Sequence, residues 1–96
     1  MGADLEVARR FGANLRRARG RADLSQEQLG SRASLHRTEI GLLERGARMP
    51  RIDTLVKLAT ALEIPPGGLI EGIAWTPGIT EGGAFSIESR DEPEGG

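Results

Sequence analysis

Apolar residues with a helical spacing, interrupted at short intervals by residues that begin or end helices, constrain this fold more than any other feature. In residues 5–19 apolar side chains recur every three or four positions, which is the period of an amphipathic helix. Gly20 interrupts that pattern, and Ser25 is a favourable N-cap for a second helix over about 26–33. The sequence therefore predicts two successive helices in its first third.

Three further helices are predicted downstream. Residues 37–45 form a short third helix, and Gly46 follows it where a left-handed cap is wanted. Residues 52–62 define a fourth helix by the same spacing. A last short helix opens at Pro65 and Pro66, because proline is tolerated where no amide donor is needed.

Beyond Gly72 the helical spacing gives way to alternation. Aromatic and branched residues alternate with small or polar ones in two runs that glycines and a proline separate, which predicts a short hairpin or two loosely paired strands. Residues 91–96 are acidic and lack apolar side chains, so we expect a disordered tail. The predicted organisation is a domain over 1–72, an extended segment over 73–90 and that tail.

Length and composition exclude several classes of protein. A chain of 96 residues has room for one domain. It has no cysteine, which excludes disulfides and thiolate metal sites, and one histidine without a carboxylate cluster makes a poor metal site. No apolar run reaches the roughly 18 residues of a membrane span, and no signal peptide is evident. We expect a cytoplasmic protein without a cofactor, a metal, a small-molecule ligand or a membrane partner.

Charge is divided unevenly along the chain. Although the net charge is -1, residues 1–51 hold eleven arginines and six acids, whereas residues 52–96 hold two basic and eight acidic residues. The first half is thus a candidate surface for a polyanion, and the planar guanidinium group suits phosphates and base edges. An arginine bias can also reflect a GC-rich genome, so composition alone leaves both explanations open.

The predicted second, third and fourth helices carry a motif that is more specific than their spacing. Two short helices joined by a tight turn are common. The residues at fixed positions are distinctive: Leu24-Ser25-Gln26-Glu27-Gln28-Leu29, Arg32-Ala33, His36-Arg37-Thr38-Glu39-Ile40, Leu43-Glu44-Arg45-Gly46, and Pro50 with Thr54-Leu55, Lys57-Leu58-Ala59 and Ala61-Leu62. This series resembles the Cro/C1-type, or xenobiotic-response-element, family of helix-turn-helix regulators over about residues 11–70.

The resemblance implies an all-α, five-helix domain like that of lambda repressor, with the hairpin-like segment as a short C-terminal extension. It also implies that the third helix enters the major groove of double-stranded DNA while the second lies across the backbone. If Ile40 and Leu43 point into the core, the outer face of the third helix is left to other residues. The candidate base-reading residues are Arg37, Thr38, Gly41 and Leu42.

Each of those four has an alternative role. Arg37 suits guanine O6 and N7 but could bind a phosphate, and Thr38 could instead support the first helical turn. Gly41 costs roughly 1 kcal/mol relative to alanine in a helix, which indicates either close approach of the duplex or a tolerated weakness. Leu42 could contact thymine methyl groups, the core or a second subunit.

Phosphate contacts are expected from a second group of residues. The resemblance implies that Gln26 contacts the DNA backbone, and at a helix start free amides and the dipole favour a phosphate. Simple capping is the alternative for Gln26, as capping or packing is for His36. The remaining candidates flank the third helix: His36, Arg45, Arg48 and Arg51.

Arg19 and Glu44 match residues that pair between the first helix and the end of the third in this family. The resemblance thus implies a structural ion pair, in which removal of one partner leaves an uncompensated buried charge. Two independent surface charges are the alternative.

These features favour a sequence-specific DNA-binding transcriptional regulator, in the simplest case a repressor, that binds a palindromic operator as a homodimer. The alternative is a protein-interaction adaptor or antitoxin that retains the fold. An enzyme is disfavoured, because the chain lacks cysteine and a Walker-type phosphate loop. Trp75 and Phe85 could build a subunit interface within residues 73–90, or fold over the helices.

Overall fold

The computed structural model describes residues 2–78 and 82–88. That part of the chain contains four α-helices followed by one 3₁₀ turn and two strands. They are α1 (Gly2–Arg21), α2 (Gln26–Ala33), α3 (Arg37–Glu44), α4 (Ile52–Leu62), the 3₁₀ turn (Pro66–Leu69), β1 (Ile73–Pro77) and β2 (Gly83–Ile87). Within these described residues, no helix combines the length and the apolar character that a bilayer crossing requires.

The prediction of a fifth helix is wrong in its type, because Pro66–Leu69 makes a single 3₁₀ turn. Gly67 and Gly68 lie inside it, and glycine is a poor helix former, so the segment is too short and too weak to propagate as an α-helix. The turn is nevertheless well anchored. Asn14 Nδ2 on α1 donates hydrogen bonds to the carbonyls of Leu69 and Glu71, at 3.1 and 2.9 Å.

Both α2 and α3 begin at a side-chain cap. Ser25 Oγ accepts the Gln28 N–H at 3.0 Å, and Gln28 Oε1 accepts the Ser25 N–H at 2.7 Å, which completes a capping box. His36 Nδ1 accepts the Thr38 N–H at 3.0 Å. Between the two helices, Ser34 takes the left-handed conformation, with φ 60°, that ends α2. The turn between the helices is therefore set by local hydrogen bonds.

One hydrophobic core joins the helices and the 3₁₀ turn. Ile40 and Leu43, predicted to point inward from the third helix, are both fully buried. Every helix and the turn contribute to the set of large, fully buried side chains: Phe11, Leu15, Leu29, Ile40, Leu43, Leu58 and Leu69. Burial of each such side chain contributes about 1.5–3 kcal/mol. This core therefore stabilises the framework on which α3 is displayed.

Gly12 allows the backbones of α1 and α3 to touch. A Cβ atom at this position would collide with the carbonyl oxygens of Leu43 and Glu44 at the end of α3. Those obstacles are backbone atoms and cannot rotate away, unlike the end of a flexible side chain. The approach of α3 to α1 is thus fixed by the absence of a side chain.

The strands β1 and β2 form an antiparallel hairpin, in which Trp75 lies opposite Phe85. The predicted hairpin is present, and one arginine of α1 holds it on the helices. The Arg10 guanidinium donates to the Glu71 carbonyl before β1, at 3.2 Å, and to the Glu88 carbonyl after β2. The Glu88 N–H donates to the Gly72 carbonyl at 2.8 Å. The predicted acidic tail, residues 91–96, lies outside the described residues.

Candidate nucleic-acid interface

The open surface of α3 lies at its N-terminal end. Arg37 and Thr38 are exposed, whereas Leu42, one turn further along, is half-buried. Within the described residues, the Arg37 guanidinium donates to no protein acceptor. Arg37 therefore presents all its N–H donors to whatever approaches the start of this helix.

Gly41 was predicted to lie on the open face of the third helix, but the structure buries it. The side chains of Arg45 and Gln26 cover Gly41 and exclude it from solvent. A Cβ atom on Gly41 would lie 3.2 Å from Arg45 Nη1 and 3.6 Å from Gln26 Oε1. The missing side chain thus leaves a notch in α3, and two of the predicted phosphate-binding side chains occupy it.

An ion pair between α1 and α3 lies directly behind that notch. Arg19 Nε and Nη2 donate to the two carboxylate oxygens of Glu44, at 2.6 and 2.9 Å, in a bidentate arrangement. The side chains are 18% and 4% exposed, respectively. This hydrogen bond raises the pKa of the Arg19 guanidinium above its usual value, although burial partly opposes the shift. Arg19 also donates to the Leu24 carbonyl at 2.9 Å, which satisfies a further donor.

The same carboxylate holds Gln26 in place. Gln26 Nε2 donates to Glu44 Oε1 at 3.1 Å across a separation of 18 residues. An amide nitrogen carries two protons, so the second N–H of Gln26 is left for another acceptor. The sequence contains no local signal for this bond, because it connects the start of α2 to the end of α3.

His36 caps α3, which was the alternative to its predicted phosphate contact, and its ring stays exposed. Its Nδ1 atom accepts the Thr38 N–H and caps α3. In a neutral imidazole that accepts at Nδ1, the proton resides on Nε2. The exposed ring of His36 therefore caps the helix with one nitrogen and offers a donor with the other.

Arg48 and Arg51 both meet carboxylates on their own chain. Arg48 pairs with Glu39 of α3, and Arg51 Nε donates to Asp53 Oδ1 at 3.1 Å. The Arg51 hydrogen bond lowers the pKa of the Asp53 carboxyl. In both pairs the arginine is well exposed, and exposed pairs contribute little to stability. Either guanidinium can therefore exchange its carboxylate for another anion at small cost.

Most of the residues predicted to contact DNA therefore lie on or next to α3. Gln26 and Arg45 lie together over Gly41, His36 adjoins Arg37 and Thr38, and Glu39 ties Arg48 to the helix. Arg51 stands apart, at the N-cap position of α4. Among the described residues, no group of three or more His, Cys, Asp or Glu side chains is placed to hold a metal ion. The surface is suited to bind an anion through arginine, amide and imidazole donors.

The match to known proteins covers the helices and ends before the hairpin. The model of the helix-turn-helix domain family matches residues 10–71. The control protein C.BamHI of Bacillus amyloliquefaciens is 37% identical over 62 residues, which span 64% of this chain and 76% of that protein.

Two solved structures show the same arrangement of helices. The restriction-modification controller protein C.AhdI of Aeromonas hydrophila is 42% identical, with a TM-score of 0.63, over 65% of this chain and 94% of its own. The P22 c2 repressor, solved in complex with a synthetic operator, is 27% identical with a TM-score of 0.60. The match covers 65% of this chain and 94% of the repressor chain. The resemblance carried by the sequence motif is confirmed, and the chain belongs to the helix-turn-helix domain family as a regulator of the Cro/C1 type.

Proposed function

We propose that this chain is a DNA-binding transcriptional repressor that inserts α3 into the major groove of double-stranded DNA. The proposal rests mainly on the exposed guanidinium of Arg37 at the start of a capped helix, which has no partner among residues 2–78 and 82–88. Thr38 and His36 supply further donors beside it. The names of two relatives, a control protein and a restriction-modification controller, favour a controller role.

Sequence readout depends mainly on Arg37. A bidentate contact from its guanidinium to guanine O6 and N7 contributes about 1–3 kcal/mol of discrimination. Thr38 adds a hydroxyl beside it, and the half-buried Leu42 offers apolar surface to a thymine methyl group. One strong hydrogen-bonding reader and two weaker ones should give a short, guanine-centred half-site.

Phosphate contacts surround that reader. Gln26 donates its second amide proton next to the free N–H groups of the α2 N-terminus. His36 donates from Nε2, and Arg45 extends its guanidinium over Gly41. Gly41 makes room for Arg45 and Gln26, so its contribution to binding is the space that it leaves.

Arg48 and Arg51 complete the phosphate contacts by exchanging their exposed carboxylate partners for the DNA backbone. Each exchange releases Glu39 or Asp53 from an ion pair of small net value. The gain is the release of counterions from the duplex, so affinity should fall steeply with salt.

The functional unit is a homodimer on a palindromic operator. A single α3 covers few base pairs, and a two-fold axis doubles the site that is recognised. The half-sites should lie about one helical turn apart, because both copies of α3 then meet the major groove on the same side of the duplex.

Selection from randomised duplexes at low salt tests this function, and Arg37→Ala and Arg51→Gln form a matched pair. Arg37→Ala should relax the preference at one base position by about 1–3 kcal/mol. Arg51→Gln should weaken binding equally on all duplexes and reduce the salt slope by about one. The proposal fails if no sequence is enriched, or if Arg37→Ala leaves the selected sequence unchanged.

A further inference from the structure

The hairpin of β1 and β2 is an addition to the helix-turn-helix unit. The family match ends at residue 71, and C.AhdI is covered over 94% of its length by only 65% of this chain. The hairpin exposes two aromatic side chains, Trp75 of β1 and Phe85 of β2. Trp75 and Phe85 are 51% and 38% exposed, and their rings meet edge to face with centroids 4.9 Å apart.

The two strands that carry this aromatic pair contain no charged residue, although Glu71 and Glu88 adjoin them and Arg10 binds the carbonyls of both. No charged residue occurs in residues 72–78 or 82–87, in a chain that is 28% charged. As a two-stranded sheet, the described hairpin leaves one edge of each strand without a partner strand. Soluble proteins usually protect such edges with lysine or other charged side chains. The described strands, 73–77 and 83–87, contain no such protection apart from Pro77 at the end of β1.

The aromatic pair is also held in a fixed position. The Trp75 ring lies so close to Gly83, whose φ is +102°, that a Cβ atom there would come within 2.5 Å of it. Arg10 binds the carbonyls that precede β1 and follow β2. A surface that is ordered before association loses less entropy when a partner binds.

We propose that this hairpin binds the hairpin of a second copy of the chain, so that the two Trp75–Phe85 pairs meet across a two-fold axis. The proposal rests on the homodimer of the proposed function and gives that homodimer its interface. An uncharged apolar patch is complementary to itself, as a two-fold contact requires.

The size of the patch sets the strength of the dimer. Complete burial of an aromatic side chain covers about 150–250 Å², and these two are already partly covered. A standard interface buries about 800 Å² on each partner, which exceeds what the pair supplies. The dimer should therefore dissociate in the micromolar range and be reinforced when both copies bind one operator.

The face of α4 is the competing interface. Ile52 and Val56, four residues apart on one side of that helix, are 75% and 48% exposed. Both have charged neighbours within their own segment, namely Arg51, Asp53 and Lys57, whereas neither strand of the hairpin contains a charged residue. The difference makes Val56 a suitable position for a matched control.

Trp75 is the sole tryptophan of the chain, so its fluorescence reports directly on the proposed interface. Dilution of the full-length protein from submillimolar to submicromolar concentration should move its emission to the red as the ring becomes hydrated. Sedimentation equilibrium over the same range should show a monomer–dimer transition with the same midpoint.

Two variants locate the contact. Phe85→Ser keeps the tryptophan reporter and should raise the dimer dissociation constant about tenfold or more. Phe85→Lys also keeps the tryptophan, places an unpaired charge within the proposed contact and should act in the same direction. Val56→Ser should leave the constant unchanged. Thermal unfolding of each variant separates loss of the dimer from loss of the fold.

The inference is overturned if the wild-type chain stays monomeric at every concentration. It is also overturned if Val56→Ser dissociates the dimer while Phe85→Ser and Phe85→Lys do not. A chain that dimerises through the hairpin but selects no DNA sequence would contradict the proposed function alone. A chain that selects an operator but dimerises through α4 would contradict this inference alone.

Discussion

The helical unit and the hairpin differ in how much of their large apolar side chains they bury. The helices bury most of their large apolar side chains in one common core, although α4 exposes Ile52 and Val56. The hairpin leaves both of its aromatic side chains, Trp75 and Phe85, exposed, and Arg10 holds it on the helices. An isolated two-stranded hairpin is marginally stable in water. The helical unit therefore folds through its own interactions, while the hairpin is stabilised by the helices to which it is attached.

The largest effect should come from the ion pair within the helical unit. Arg19→Ala leaves the buried carboxylate of Glu44 without its partner, which costs about 3–5 kcal/mol. Thermal unfolding should then shift down by more than about 10 °C. The double variant Arg19→Met with Glu44→Leu removes both charges and should recover much of the loss. An unchanged Tm for Arg19→Ala would show that the pair contributes nothing to the helical unit.

Removal of the arginine that holds the hairpin should have a smaller and more local effect. Arg10→Ala deletes the hydrogen bonds to the Glu71 and Glu88 carbonyls, at a cost of about 1–3 kcal/mol. Amide hydrogen exchange in β1 and β2 should accelerate far more than exchange in the buried helices. Arg16→Ala, at an exposed position of the same helix, is the control. Equal acceleration of exchange in the strands and in the helices would mean that the hairpin and the helical unit unfold together.

Filling the notch in α3 should separate stability from binding. Gly41→Ala gains up to about 1 kcal/mol of helix propensity, because the obstacle 3.2 Å away is the flexible end of Arg45. Displacement of Arg45 and Gln26 should at the same time weaken DNA binding several-fold. Gly20→Ala, which meets no atom within 4 Å, should gain stability without losing affinity. Equal affinities of the two variants would remove Gly41 from the binding surface.

The smallest effect should come from the exposed pair at the start of α4. The hydrogen bond from Arg51 lowers the pKa of Asp53 below the usual value of 3.8. A lowered carboxyl pKa adds stability above the usual value, and that stability disappears as the pH falls through the lowered value. An NMR titration of the Asp53 side chain should have its midpoint below 3.8, and Arg51→Gln should raise it. Identical midpoints would show that the pair does not form in solution.

Local patterns were sufficient to predict most of the helical framework. The N-cap at Ser25, the inward direction of Ile40 and Leu43 and the alternation in β1 and β2 depend on residues close together in sequence. The 3₁₀ turn was missed because apolar spacing does not distinguish one turn of 3₁₀ helix from a short α-helix.

The contacts that position the candidate site were less accessible from sequence. The Gln26–Glu44 bond spans 18 residues and the Arg10–Glu71 bond spans 61, so neither leaves a local pattern. The burial of Gly41 depends on where the side chains of neighbours lie, which helical periodicity alone does not specify. The roles of the base-reading and phosphate-binding residues stay predictions until the variants are measured.

The contact at Gly12 has a mechanical consequence for recognition. Because the end of α3 rests directly on the backbone of α1, a tilt or shift of α3 to improve a poor fit would break that packing. The duplex must then deform to fit the protein. Its bending and groove width depend on base steps that no side chain contacts. We expect operator preference to extend to those steps, so that exchanging stiff for flexible steps between the half-sites changes affinity although every contacted base is kept.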